Sequence, residues 1–183
     1  DVAVAGEATF WLARSRWKLG DRKRAIEGFS AVETTYADHP RTPEAVDLLG
    51  EVYLEESQGP GDEELRRARF ESAIACFRRF ASRYPEHALA PRVLFRIGDA
   101  FASRGDPRAA IDAWTGFLAK HPKDGESPTA QFRIAESHLA LNGFDEAASA
   151  WRTFLGTYPN DPRWNEAQER VIACHYQKGL KAY

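Results

Sequence analysis

The stretch FRIGDAFASRGDPRAAIDAWTGFLAKHP, residues 95–122, returns in altered form as FRIAESHLALNGFDEAASAWRTFLGTYP at residues 132–159. The two copies begin 37 residues apart, since 132 − 95 = 37. Inside each copy, Ala is followed four positions later by an aromatic ring. This pair occurs four times along the chain, as Ala25/Phe29, Ala73/Phe77, Ala110/Trp114 and Ala147/Trp151. A recurring spacing is typical of units that bury their apolar faces against their neighbours.

The intervals between the four Ala positions define the repeat boundaries. They are 48, 37 and 37 residues, so the first equals one period plus 11 residues, which we place at QGPGDEELRRA, residues 58–68. A second column upstream holds small residues and then a larger one, namely Ala13, Gly50, Gly98, Ala135 and Ile172. We therefore predict repeats over residues 6–40, 42–86 with the insertion at 58–68, 90–123, 127–160, and a partial repeat over 164–183. We expect this solenoid segment to be part of a longer protein.

Each repeat carries the start of a first helix. Pro43, Pro91 and Pro128 stand seven residues before the small-residue column, where a proline in the first helical turn loses no hydrogen bond. Thr42 and Ser127 precede two of these prolines and are predicted N-caps.

A tight turn and a second helix follow. Gly20, Gly105 and the pair Asn142-Gly143 supply the left-handed backbone that ends a helix, and Asp106 is a predicted cap for the helix after it. Apolar residues recur at i, i+3, i+4 and i+7 through RVLFRIGDAF and AAIDAWTGFL, which is helical periodicity. The sequence predicts no strand.

Composition and charge narrow the class of partner. The chain has 183 residues, 43% hydrophobic and 28% charged, with a net charge of -2. These values are typical of a folded, core-forming chain, and the mixed charges give no chain-wide attraction for nucleic acid. No apolar stretch approaches the roughly 18–20 residues that span a bilayer, so we expect no direct membrane insertion.

A family resemblance rests on seven columns, which read large, large, small, aromatic, Ala, aromatic and Pro. In the third repeat they are Leu94, Ile97, Gly98, Phe101, Ala110, Trp114 and Pro122. This pattern resembles the tetratricopeptide repeat (TPR), which implies an all-α, right-handed α-solenoid of helix-turn-helix repeats. The 37-residue period and the endings RFASRYP, GFLAKHP and TFLGTYP are similar to the bacterial cell-envelope variant, as in the Tol-Pal-associated periplasmic protein and the outer-membrane assembly lipoprotein. A further resemblance is to the helical segment of secreted macroglobulin-like bacterial proteins.

No constellation of residues indicates catalysis or a cofactor. His138 and His175 share one column, but no third ligand stands at a metal-site spacing, so we expect no metal. Cys76 and Cys174 lie about three repeats apart, too far for a disulfide in a solenoid, and are expected to be buried thiols. We therefore expect a protein that is not an enzyme.

The resemblance implies that a partner binds on the concave side formed by successive first helices. The residues expected there are Phe10, Arg14, Trp17, Asp47, Glu51, Arg92, Phe95, Asp99, Phe132, Glu136 and Leu139. Phe95 and Phe132 stand where some relatives carry a carboxylate-binding lysine, so a free carboxylate is not the expected ligand, and these two rings are the main binding candidates. The alternative is that both rings pack against neighbouring first helices, and that Arg96 and Arg133 pair with Asp99 and Glu136 at i+3.

Two functions follow from the family resemblance. The first is a non-catalytic scaffold that holds a partner helix or extended peptide in its groove, in bacterial envelope assembly or maintenance. The second is a structural spacer in a larger secreted or periplasmic protein, with activity in other domains. The resemblance implies a periplasmic or cell-envelope location, the alternative being the cytoplasm, and the residues predict no oligomeric state.

Overall fold

The computed structural model describes residues 2–181, which are helical apart from short turns and contain no strand. The helices are α1 Val2–Lys18, α2 Arg22–Thr35, α3 Thr42–Gln58, α4 Glu63–Arg83, α5 Ala90–Ser103, α6 Pro107–Lys120, α7 Ser127–Ala140, α8 Phe144–Thr157 and α9 Trp164–Lys181. The predicted all-α helical-repeat fold is confirmed.

The turns after α1, α5 and α7 have the backbone that their sequences predict. Gly20, Gly105 and Asn142 have φ values of 83°, 78° and 59°, in the left-handed region. The next helix then begins almost at once, and before α6 a carboxylate oxygen of Asp106 accepts a hydrogen bond from the Ala109 amide at 3.0 Å. Local chemistry therefore fixes these hairpins.

The predicted capping roles of Thr42 and Ser127 are wrong. Both residues are already the first residue of their helix. The Thr42 hydroxyl donates to the Tyr36 carbonyl at 2.8 Å, and the Ser127 hydroxyl donates to the His121 carbonyl at 2.7 Å. Each hydroxyl thus reaches six residues back and stabilises the turn between two repeats. The same two carbonyls, which lie at the end of the preceding helix, also accept the backbone amides of His39 and Asp124.

The helices group into two compact units, Asp1–Val93 and Leu94–Tyr183, and the division falls within α5. In the first unit, α1 packs on α2, α2 on α3, and α3 on α4. Its core centres on Phe10, Ala25, Phe29, Leu49 and Cys76, all at most 2% exposed.

The second unit has two adjoining clusters. One contains Phe95, Ala110, Trp114 and Phe117, between α5, α6 and α7. The other lies between α7, α8 and α9 and contains Phe132, Ala147, Trp151, Phe154 and Cys174. Both predicted thiols, Cys76 and Cys174, are free and buried.

The small-residue column allows close helix packing. A Cβ atom at Gly98 would lie 2.3 Å from Nε1 of Trp114, and one at Gly50 would lie 2.5 Å from Cε1 of Phe77. Neither distance is sterically possible, so each glycine lets the ring of the second helix rest against the backbone of the first.

The last helix carries an exposed apolar stripe. Ile172 occupies the small-residue column and is 65% exposed, with Tyr176 and Leu180 similarly exposed one and two turns later. In the complete repeats, the side of the first helix that carries the small-residue column packs against the second helix of the repeat. No helix among residues 2–181 is both long enough and apolar enough to span a bilayer.

Candidate functional site

The candidate site is the side of the first helices that the sequence assigns to a partner, here called the groove face and described within each unit separately. Four of its predicted members are buried: Phe10 and Asp47 are 0% exposed, Phe95 is 8% and Phe132 is 5%. The expectation that these side chains are presented to a ligand is wrong. The alternative is right that both rings are packed, but their ring contacts within the described residues are with the second helix of the same repeat, not with a neighbouring first helix.

The rings are buried because their column faces the second helix of the same repeat. Phe95 packs edge-on against Phe117, with ring centroids 5.6 Å apart. Phe132 packs in the same way against Phe154 at 5.4 Å, and its ring also contacts Trp151. These contacts place both rings in the hydrophobic core.

Arginine side chains cover the buried rings on the outside. The Arg133 guanidinium lies 5.4 Å from the centroid of the Phe95 ring, and the Arg163 guanidinium lies 5.1 Å from that of Phe132. In the first unit, Arg41 lies 5.5 Å from Phe10. Outside each of these three buried rings, a guanidinium group therefore lies close enough for a cation–π interaction.

Each covering arginine in the second unit is paired with a carboxylate. Arg163 donates two hydrogen bonds of 2.9 Å to Asp161, and these bonds lower the pKa of Asp161. Arg133 donates to Asp99, which lies in the preceding repeat. The expected i+3 pair of Arg133 with Glu136 is not found among the described residues, because Arg133 reaches the preceding first helix instead.

The predicted members in the first unit form a polar network. Arg14 lies 3.7 Å from Glu44, and the Trp17 indole donates to Glu55 at 3.0 Å. Arg92 donates to the buried carboxylate of Asp47. Glu51 is half-buried. This part of the groove face is therefore held by contacts between helices.

In the second unit the groove face contains an open cavity of about 660 Å³ between α5 and α7. Its charged lining consists of the predicted residues Asp99 and Glu136, together with Arg133. Its apolar lining includes Ala102, Pro107, Trp114 and Ala140, and two serines, Ser103 and Ser137, complete the polar part. The last predicted member, Leu139, packs against the core of this unit.

The indole N–H of Trp114, beside the cavity, lacks a hydrogen-bond partner among the described residues because of how its ring packs. Trp114 Nε1 is buried without a hydrogen-bond partner among the described residues. Trp151 Nε1 is in the same state at the equivalent place in the next repeat. The unpaired indole therefore follows from packing the ring on the small-residue column, so it does not mark a ligand.

The covering arginines were missed by sequence reasoning. Arg41 and Arg163 each stand 31 residues after the phenylalanine that they cover, since 41 − 10 = 31 and 163 − 132 = 31. For Phe95 the residue 31 positions later is Glu126, and the covering Arg133 stands 38 positions later, so the spacing identifies two of the three covering arginines. The spacing joins two different positions across a repeat boundary, whereas a column compares the same position in successive repeats.

These features define a helical-repeat protein in which small-residue columns seat aromatic rings. The chain belongs to the tetratricopeptide repeat family: one family model matches residues 61–114, 95–162 and 132–182, and a second matches residues 7–39. Tetratricopeptide folds are generally non-catalytic scaffolds for protein–protein interaction.

Solved structures of the same fold share little sequence with the chain. A thermophilic TPR protein of Thermus thermophilus, TTC0263, is 23% identical with a TM-score of 0.57, covering 93% of this chain and 81% of that one. The MamA protein is 18% identical with a TM-score of 0.64, covering 97% and 84%. A tetratricopeptide repeat protein of Parabacteroides merdae is 13% identical with a TM-score of 0.66, covering 94% and 60%. A search of curated protein sequences finds no significant match.

Proposed function

We propose that this chain is a non-catalytic scaffold that binds a helix or an extended peptide of a partner protein on its groove face. The observation that supports this proposal is the open cavity between α5 and α7, which is lined by charged, hydroxyl and apolar groups. Pockets that combine apolar walls with a few polar groups are the usual form of a specific binding site.

Burial of the two rings changes which residues would contact the partner. Phe95 and Phe132 are core residues, so we assign the contacts to the exposed or half-buried members Asp99 and Glu136 and to Arg133, which the sequence analysis placed only in an ion pair. In the first unit, Arg14, Trp17 and Arg92 remain accessible in part. The proposed binding surface is therefore more polar than the apolar groove that the sequence predicts.

The experiment is a peptide selection with a blocked variant. A random peptide library displayed on phage is panned on the purified chain, and the recovered peptides are synthesised and titrated. Ala140→Trp places a large ring in the cavity, and because Ala140 is exposed the fold should be kept. We expect binding at least about tenfold weaker, the loss of roughly one buried anchor.

The matched control is Ala119→Trp, which adds the same ring at an exposed position of α6 outside the cavity lining. It should bind the peptides as the wild type does. Peptides that bind Ala140→Trp undiminished, or a library that yields no binder, would contradict the proposal.

A structural spacer within a larger secreted or periplasmic protein is the second candidate, and burial of Phe95 and Phe132 favours it. With both rings in the core, the groove face lacks the large apolar anchors that dominate most interfaces. If the chain is a spacer, the peptide selection should recover no binding peptide.

We also propose a periplasmic location and a role in bacterial envelope assembly or maintenance. Support comes from the 37-residue spacing and the repeat endings, which resemble the envelope variant of the family. Osmotic-shock fractionation of the source cells, with an antibody against the chain, should recover the protein in the periplasmic fraction. Recovery of the protein together with cytoplasmic marker proteins would contradict the proposed periplasmic location.

A further inference from the structure

We infer that the cavity between α5 and α7 receives a basic side chain, lysine or arginine, of the bound peptide. This inference rests on the proposed function and adds the chemical class of the ligand's anchoring residue. It follows from the charges, hydroxyls and walls of the cavity.

The cation that lines the cavity is already paired. Arg133 donates to the carboxylate of Asp99, and its guanidinium also lies over the rings of Phe95 and Trp114. An acidic ligand would have to compete with Asp99 for this guanidinium. Arg133 and Asp99 together contribute no net charge to the cavity.

Glu136 leaves the cavity with a net negative charge. Among residues 2–181 it has no ion-pair partner within 4.0 Å, and its side chain is exposed. Arg163 interacts electrostatically with Glu136 from beyond ion-pair distance. Its guanidinium already donates two hydrogen bonds of 2.9 Å to Asp161. A cationic ligand would therefore meet a carboxylate that no neighbouring cation holds.

Ser137 supplies an independent indication of a ligand. It lines the cavity and is only 8% exposed, yet its hydroxyl makes no hydrogen bond with any described residue. This oxygen is not among the fully buried unpaired side-chain atoms of the described residues, so it is accessible from the cavity and can accept a hydrogen bond from a ligand N–H. Ser103 donates to the Asp99 carbonyl at 2.7 Å and keeps its acceptor lone pairs for a ligand.

The walls suit the stem of a long basic side chain. Ala102, Pro107 and Ala140 provide accessible apolar surface beside the polar groups. Lysine and arginine bury their methylene stems on such surface while their charged heads reach polar groups. An arginine head also offers several N–H donors, which matches the carboxylate and hydroxyl acceptors.

The test uses the peptide recovered most often in the selection on the wild-type chain. It is synthesised with its basic residue intact, and again with citrulline in place of arginine or norleucine in place of lysine. The neutral peptide should bind the wild type about tenfold more weakly, because a charge-assisted hydrogen bond is lost. With Glu136→Gln the two peptides should bind almost equally, and Ser137→Ala should reduce the difference.

Glu146→Gln is the matched control, since it removes the same charge at an exposed position of α8 outside the cavity lining. It should keep the full preference for the basic peptide. If the selected peptides lack a shared basic residue, or if Glu136→Gln keeps the preference, the inference is overturned while the scaffold proposal stands. A selection without binders overturns the scaffold proposal itself.

Discussion

Two glycines in adjacent helices of the second unit have opposite roles at the residue scale. Gly98 lies against the indole of Trp114, and a Cβ atom there would clash with three ring atoms at 2.3–2.6 Å. Gly116, within α6, has no atom within 4 Å of the place a Cβ would take.

Alanine at these two glycines should change stability in opposite directions. Gly98→Ala should destabilise the fold by about 1–3 kcal/mol, because the rigid indole must move. Gly116→Ala should stabilise it by about 0.5–1 kcal/mol, because alanine is the better helix former. Urea unfolding of both variants checks the prediction, and a shift in the same direction for both would contradict the assigned packing.

The rings of Phe95 and Phe132 should behave as core residues. Replacing either ring with Ala should cost about 3–5 kcal/mol, the usual effect of emptying a buried aromatic site. The double replacement by Asp should unfold the second unit, since it also buries two charges. Thermal unfolding followed by circular dichroism measures this, and unchanged melting would show that the rings are exposed.

The thiol of Cys76 gives a pH dependence with a defined sign. Burial raises its pKa from 9.0 to about 11, although Arg79 acts in the opposite direction. Between pH 9 and 11 the unfolded chain releases this proton and the folded chain keeps it, so stability should fall as pH rises through this window. Well below this window the thiol should have no effect.

Urea unfolding at about pH 8 and about pH 10, on either side of the ordinary thiol pKa, isolates this contribution. The wild type should lose more stability between the two pH values than Cys76→Ala, whose absolute stability is lower at both. Cys174, Tyr53 and Tyr158 also have pKa values raised by burial and titrate in both proteins. The Cys76 thiolate further raises the pKa of Tyr53, so the difference between the two proteins reports the thiol together with its effect on Tyr53. Equal losses would mean that Cys76 titrates freely in the folded chain.

At the scale of helices, α3 and α4 are longer than the helices of the next two repeats, α5 to α8. They have 17 and 21 residues, whereas α5 to α8 have 14 each. The added residues surround Gly59 to Asp62 and are mostly exposed. Asp62 caps α4 by accepting the Leu65 amide at 2.8 Å.

Deleting residues 58–68 should leave the remaining helices folded. The deletion restores the 37-residue spacing, and Ser57→Gly with Arg69→Asp would rebuild the glycine turn and cap seen at Gly105 and Asp106. Helical content per residue and cooperative melting should be retained. Loss of cooperative unfolding in this shortened chain would show that the insertion belongs to the core.

Sequence predicted the helices well because their turns are determined locally. Gly20, Gly105 and Asn142 stand where the backbone turns left-handed, and Asp106 caps the helix that follows. It failed for Thr42 and Ser127, since a hydroxyl before a proline fits both a cap and a bond to the preceding turn. The choice depends on where the previous helix ends.

At the scale of the whole molecule, the columns revealed the family but not the face on which each column lies. A first helix packs on both sides, so helical periodicity alone cannot separate a ring that meets a ligand from one that meets the second helix. Phe95 and Phe132 were assigned to the wrong side for this reason. The columns did not predict the covering arginines, because Arg133 comes from the following repeat and Arg163 from the turn just before α9.

The central claim is that a partner peptide binds the groove face of the second unit through its cavity. Backbone amide and indole chemical shifts of isotope-labelled protein, titrated with the selected peptide, test it most directly. The account predicts the largest shifts at Asp99, Ser103, Glu136 and Ser137 and at the Trp114 indole, with small changes on the exposed faces of α6 and α8. Largest shifts on α6 and α8, with the cavity residues unchanged, would contradict it.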